Sequence, residues 1–148
     1  MRTARLTITV LVFSWGLGSQ PSPAAQDAKA YFEMNAAFEC AELAAVGGSD
    51  ALKASIGRLE TYGIREGRAF ATTARDGSAP PLAGLSPDFW VGLGFGKASA
   101  KVEEDLTKQM SIWVNDQGRY LQVKEIFAER AALAATRYTI QKCDLVGS

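Results

Sequence analysis

The chain has 148 residues, of which 47% are hydrophobic, and its 16 basic residues balance its 16 acidic ones. This length suits one domain with a core of its own, and the lack of a basic excess excludes the electrostatic footprint of a nucleic-acid-binding protein. The sequence contains no histidine, which excludes the common serine and cysteine triads, imidazole zinc sites and Cys-x-x-Cys-His haem attachment.

The N-terminal segment has the pattern of a secretory signal. Arginines lie ahead of an apolar run at residues 6–17, and residues 18–25 are small, polar and proline-containing. The apolar run of about 12 residues would extend about 18 Å as a helix, which is too short for the ~30 Å core of a bilayer. We therefore predict a cleavable signal peptide over residues 1–24, cut after Ala24 or Ala25. The protein is then periplasmic or secreted and keeps no stable membrane anchor.

Two cysteines follow the predicted signal, Cys40 near the start of the remaining domain of residues 25–148 and Cys143 near its end. In an oxidising compartment we predict that they form a disulfide bond that links the two ends of the domain. A redox-active pair is the alternative. The cysteines lie far apart in the sequence and lack the Cys-x-x-Cys spacing of redox motifs, so a structural disulfide is the favoured interpretation.

The first two helices are predicted on either side of a Gly-Gly pair. Residues 27–46 are alanine-rich, contain no glycine or proline and carry apolar residues at helical spacing. The Gly-Gly pair ends this helix, and Ser49-Asp50 supplies oxygens that cap a second helix over residues 51–73.

The second helix contains glycines at Gly57, Gly63 and Gly67. Inside a helix each costs about 1 kcal/mol relative to alanine, so each requires a packing reason. Gly63 and Gly67 lie one turn apart, where they would let the alanine-rich face of the first helix approach closely. A groove for a ligand or a partner is the alternative, and close packing within the fold is favoured.

The third helix is predicted to follow a loop over residues 75–85, which contains Asp-Gly and Pro-Pro pairs. Ser86 is a good N-cap, Pro87 suits the first helical position, and Asp88 favours the positive end of the helix dipole. The helix is predicted to run towards Val114, and the glycines in its first half allow a kink.

Residues 115–118 predict a turn, and residues 119–142 predict the last helix. Its apolar face includes Phe127 and Tyr138, and it returns Cys143 to the first helix. No stretch alternates apolar and polar residues as a strand would. The sequence thus predicts an all-α fold, a single small domain of four to five helices with one disulfide linking its ends.

One polar cluster is a candidate site for a small periplasmic enzyme or ligand-binding protein, because carboxylate chemistry needs no histidine. Its residues are Glu39, Arg65, Glu66 and Arg68. The acidic run at residues 103–105 is interpreted as a solvated helix face, since adjacent residues point about 100° apart. Residues 92–99 lack the spacing of a phosphate-binding loop, and residues 115–118 lack the spaced ligands of a calcium loop. We expect no metal site and no cofactor.

Short motifs along the domain resemble those of small exported two-cysteine helical proteins of proteobacteria, a group of unknown function. The motifs are Phe38-Glu39-Cys40, Tyr62-Gly63, Gly67-Arg68-Ala69-Phe70, Ser86-Pro87-Asp88-Phe89 followed by Gly92, and Lys142-Cys143. The resemblance implies the helical fold and the disulfide, and it carries over no catalytic residue. A looser similarity is to periplasmic immunity proteins that block amidase effectors of type VI secretion. It implies a rigid helical domain that plugs an enzyme cleft or docks on an envelope protein.

We expect a non-enzymatic protein that binds another protein of the cell envelope or an effector. Aromatic residues in a glycine-interrupted region are the candidate anchors for this partner, and burial of all of them in the core is the alternative. These residues are Phe89, Trp90, Phe95 and Trp113. An exposed apolar patch around Trp90 would favour the binding protein, and a pocket around the polar cluster would favour the enzyme.

Overall fold

Four α-helices make up the fold in the computed structural model, which describes residues 23–73, 85–117 and 123–148. A short 3₁₀ turn at Cys143–Leu145 follows the last helix, and the described residues form no strand. The predicted all-α fold of a small domain is therefore confirmed. The helices are α1 (Pro23–Gly47), α2 (Asp50–Thr73), α3 (Pro87–Gln117) and α4 (Val123–Ile140).

Serine caps begin the second and third helices as the sequence predicts. The Ser49 hydroxyl accepts a hydrogen bond from the Leu52 amide at 3.3 Å, and the Ser86 hydroxyl accepts one from the Phe89 amide at 3.2 Å. Gly48 has a positive φ of 70° and follows the end of α1. Each serine oxygen satisfies an amide that the helix itself leaves without a partner.

Three predicted boundaries differ from the structure by more than one residue. Helix α1 begins at Pro23 rather than at residue 27, since proline suits the first helical position and the next residues do not oppose a helix. Helix α3 continues through Gln117 where a turn was predicted from residue 115, because no glycine or proline stops it earlier. Helix α4 ends at Ile140 rather than at residue 142, and Lys142 adopts a left-handed φ of 54°.

Several sequence predictions lie outside the described residues. They are the signal peptide up to residue 22, the loop at residues 75–85 apart from Leu85, the end of the turn at Gly118, and residues 119–122 of the last helix. The predicted cut after Ala24 or Ala25 falls in the first turn of α1. Helix α3 is one helix across the region where a kink was allowed.

Two groups of buried side chains form the interior. The disulfide core joins all four helices to the C-terminal segment. Its buried residues are Cys40, Ala41, Leu43, Ala44, Leu59, Val102, Leu106, Ala134, Tyr138 and Cys143. The aromatic core lies nearer the start of α1 and consists of Met34, Phe38 and Ala98 with Tyr31 and Val91 packed against them. Phe127, predicted on the apolar face of the last helix, is 65% exposed instead, because the start of α4 does not pack on either core.

The predicted disulfide between Cys40 and Cys143 is present, with the two Cα atoms 5.5 Å apart. Both cysteines are buried. The bond ties the C-terminal segment to the middle of α1, and the Arg58 guanidinium supports the same segment by donating hydrogen bonds to the carbonyl oxygens of Val146, Cys143 and Asp144.

Close packing at two glycines of α2 is confirmed, although the contacting groups differ from the prediction. A Cβ at Gly63 would lie 2.7 Å from Phe38, and one at Gly67 would lie 2.7 Å from the Met34 sulfur. The large side chains of α1, rather than its alanines, occupy the space. No described residue has an atom within 4 Å of a Cβ at Gly57, so the described part of the chain supplies no packing reason for this glycine. None of the described helices is long and apolar enough to cross a membrane.

Candidate functional site

The structure does not bring the four residues of the candidate polar cluster together. Glu39 on α1 pairs with Lys101 on α3 at 2.5 Å. Arg65 pairs with its neighbour Glu66 at 2.8 Å, and Arg68 pairs with Asp88 at 3.1 Å. The cluster is therefore divided among separate ion pairs that hold helix surfaces in place.

Glu39 belongs to a chain of charges that crosses three helices, which we call the ion chain. Lys101 also lies 3.9 Å from Asp105, and Asp105 accepts a hydrogen bond from Arg137 on α4 at 2.8 Å. The Arg137 hydrogen bond holds the pKa of the Asp105 carboxyl below its usual value. The ion chain thus links α1, α3 and α4 and accounts for Glu39 without a catalytic role.

A second polar region surrounds Tyr62. The Arg65 guanidinium lies 4.6 Å from the centre of the Tyr62 ring, and Gly147 packs against that ring. Burial, together with a hydrogen bond to Glu33, raises the pKa of Tyr62 to about 12. A cleft of about 410 Å³ adjoins the tyrosine, but Arg58 is committed there to the C-terminal carbonyls. This region holds the C-terminal segment against α2.

A chain of aromatic rings connects α1, α2 and α3 at one end of the molecule. Successive ring centres lie 6.0 Å, 5.3 Å, 5.5 Å and 6.0 Å apart, which is the range of favourable aromatic contacts. In order, the rings belong to Phe32, Tyr31, Phe70, Trp90 and Phe89. The first and last rings face solvent, since Phe32 is 68% exposed and Phe89 is 46% exposed.

The structure places the candidate partner-binding aromatics in different surroundings. Phe89 and Phe95 are exposed, the latter at 42%, and Phe95 rests edge-on against the buried Phe38 at 5.5 Å. Trp90 is half-buried between Phe70 and Phe89. The side chain of Trp113 lies outside the part of the chain that the structure describes.

Two further exposed apolar residues accompany these aromatics. Leu93 lies one turn after Phe89 on α3, and Ile64 projects from α2. The four-residue spacing of Phe89 and Leu93 is a signal that sequence reasoning missed, whereas only packing of α2 on α3 reveals Ile64. We call Phe89, Gly92, Leu93, Phe95 and Ile64 the α3 face.

An apolar groove runs along the α3 face between α2 and α3. It has a volume of about 300 Å³ and is lined by Phe38, Glu60, Ile64, Val91, Gly92 and Phe95. Glu60 supplies the charged group in this lining. The groove therefore suits an apolar side chain of another protein more than a polar substrate.

A narrower cleft of about 270 Å³ lies on the other side of α3, against α1. Tyr31, Phe32, Lys97 and Lys101 are among its lining residues. Within the described ranges, no three Cys, Asp or Glu side chains group closely enough to hold a metal ion.

Comparisons with known proteins identify no relative of this chain. No protein-family model, curated protein or solved structure matches the chain. The α3 face and the separate ion pairs of the polar cluster are therefore the features of this protein that bear on its function.

Proposed function

We propose that this is an exported, non-enzymatic protein that works by binding another protein chain through the α3 face. The observation that carries the proposal is the set of solvent-exposed apolar side chains on the first turns of α3. Phe89 and Leu93 lie on its solvent side, and Phe95 lies at an apolar groove floored by Phe38. Large apolar side chains grouped on a surface are typical of protein-binding sites, where buried aromatic anchors supply most of the binding energy.

The packing beneath the α3 face supports this proposal. Phe89 rests on Trp90, and Phe95 rests on the fully buried Phe38, so both exposed rings are held in fixed orientations. Side chains held in place before binding lose little rotamer freedom when a partner covers them. A rigid helical surface of this kind suits docking on an envelope protein or in the cleft of an effector enzyme.

The ion pairs of the polar cluster favour the binding protein over the alternative of an enzyme or small-ligand-binding protein. Each arginine of the polar cluster already has a carboxylate partner, and Glu39 is held by Lys101 in the ion chain. A general base or a ligand-binding cation needs a group that is free to meet the substrate. The cleft beside Tyr62 does not supply one, since Arg58 and Arg65 are both engaged there.

Export is supported by the N-terminal sequence pattern and by the disulfide. Disulfide bonds persist in oxidising compartments and are rare in the cytosol. The buried Cys40–Cys143 bond therefore agrees with a periplasmic or secreted protein, the location that the charged and apolar pattern at residues 1–24 predicts.

The experiment is an affinity capture from a periplasmic extract of the source organism, with the exported protein as bait. We expect one stoichiometric partner that is lost with Phe89→Ala and with Phe95→Ala. The matched control is Phe127→Ala, which removes a still more exposed phenylalanine from α4 and should leave the partner bound. Capture that is unaffected by either α3 variant would overturn the proposed surface. A bait that binds no protein chain, neither its own native copy nor another protein, would overturn the binding function.

A further inference from the structure

Helix α3 carries glycines of two kinds. A Cβ at Gly94 would lie 2.6 Å from the Met34 methyl group, so packing inside the protein explains this glycine. A Cβ at Gly92 or at Gly96 would meet nothing within 4 Å. These two glycines lie one turn apart on the solvent side, next to Phe89 and Leu93. Glycine destabilises a helix, and no described part of the chain packs against these two positions to compensate for it.

Opposite charges flank this exposed side of α3. Glu60 lines the groove against α2, and Lys97 lines the cleft against α1, so they occupy opposite edges of the α3 face. Among the residues that the structure describes, neither forms an ion pair. One apolar strip thus has an acidic edge and a basic edge, and both charges are available to a partner.

We infer that the α3 face is covered by a second copy of this chain, with the two α3 helices parallel and related by a twofold axis that runs along them. The inference rests on the proposed function and names its partner. When two parallel helices face each other, the acidic edge of each copy meets the basic edge of the other. Glu60 would then meet Lys97 of the other copy twice, once on each side of the axis.

An antiparallel arrangement of the two α3 helices does not bring Glu60 and Lys97 together. In an antiparallel pair, Glu60 would face Glu60 and Lys97 would face Lys97, and like charges in contact are unfavourable. The parallel pair also gives the glycines a role, since Gly92 and Gly96 would let the two helix backbones approach closely while Phe89 and Leu93 pack beside them.

Sedimentation equilibrium of the exported, disulfide-bonded protein over a wide range of concentrations tests this inference. We expect a dimer whose dissociation constant rises by at least about tenfold in Gly96→Gln, because the new side chain separates the helices. The control is Gly57→Gln, which also replaces a helical glycine with no neighbour within 4 Å. Both variants improve helix propensity, so loss of folding does not explain a difference between them.

Charge reversal tests the orientation. We expect Glu60→Lys and Lys97→Glu each to weaken the dimer, and the double variant to restore it. A double variant that stays as weak as the single ones would overturn the parallel arrangement.

A protein that stays monomeric at every concentration would overturn the inference. If capture from the extract still yields a different protein that depends on Phe89, the proposed function stands while the second copy is rejected. If neither a dimer nor a captured protein is found, both fail.

Discussion

At the scale of single residues, the helical glycines of α2 have contrasting surroundings that predict opposite effects of alanine. Gly57 is exposed and has no neighbour, so Gly57→Ala should raise the free energy of unfolding by up to about 1 kcal/mol through helix propensity. A Cβ at Gly63 would lie 2.7 Å from the fully buried Phe38 ring, so Gly63→Ala should lower the free energy of unfolding by about 1–3 kcal/mol through overpacking. Urea unfolding of the oxidised protein measures both changes.

A change of the same sign in the free energy of unfolding of both variants would contradict this prediction. If both stabilise, the Phe38 ring has room to move and the aromatic core is loosely packed. If both destabilise, Gly57 has a contact in solution that the fold described above does not contain. The wild-type slope of unfolding against urea should be preserved in each variant, because a changed slope would indicate a changed denatured state.

At the scale of helices and their pairing, the ion chain makes a prediction about Asp105. Asp105 accepts a hydrogen bond from Arg137, and a second nitrogen of that guanidinium is buried with no hydrogen-bond partner among residues 23–73, 85–117 and 123–148. Asp105→Asn removes the charge that this half-buried arginine faces, and it should lower the free energy of unfolding by about 1–2 kcal/mol. The matched control is Glu104→Gln, which breaks an exposed pair with Lys108 on the same helix and should change stability little.

The hydrogen bond between Arg137 and Asp105 also makes the stability of the fold depend on pH. The folded-state pKa of Asp105 is lowered, first by the Arg137 hydrogen bond, below the ordinary value of 3.8. The unfolded chain therefore takes up a proton at a higher pH than the folded protein. The stabilisation is complete above the unfolded pKa and is lost as the pH falls through the folded pKa. Stability measured against pH should fall less steeply below about pH 4 in Asp105→Asn than in the wild type, and identical slopes would contradict the prediction.

The predicted helices match the structure best where a capping residue marks an end. Ser86 and the Gly-Gly pair are local signals, and α3 begins and α1 ends beside them. Residues 115–117 look like a turn, but polar residues alone do not stop a helix that has already formed, and α3 continues through them. Helix ends without a cap are set by packing, which the local sequence does not encode.

The candidate site residues also show that the sequence does not reveal contacts between helices. Phe89 and Phe95 are exposed on α3, and their role in binding stays a prediction. The polar cluster shares only the chemistry of its side chains, and Lys101 and Asp88 of α3 draw Glu39 and Arg68 into separate ion pairs. Sequence spacing identifies neighbours on one helix, while pairs between helices require knowledge of the packing.

At the scale of the whole molecule, the helices contribute unequally to the two cores. The aromatic core is built from α1, with Ala98 and Val91 contributed by α3. Helix α4 contributes only to the disulfide core, through Ala134 and Tyr138 with Leu133 beside them. A cleft of about 410 Å³ separates the second half of α3 from α4, with Met110 and Leu133 on its walls. Attachment of α4 therefore depends on α1, on ion pairs to α3 and on the disulfide just beyond its end.

The disulfide is expected to be the main restraint on α4 in the unfolding reaction. Its cysteines are 103 residues apart, and closing a loop of roughly 100 residues stabilises a protein by up to about 4.7 kcal/mol through the entropy of the unfolded chain. Cys40→Ala/Cys143→Ala should therefore lower the free energy of unfolding by about 3–5 kcal/mol. Amide hydrogen exchange should accelerate first in α4, around Ala134 and Tyr138, while amides beside Phe38 stay protected longer. Equal acceleration in α1 and α4 would instead mean that the two cores unfold as one cooperative unit, since opening α4 alone leaves Met34, Phe38 and Ala98 covered.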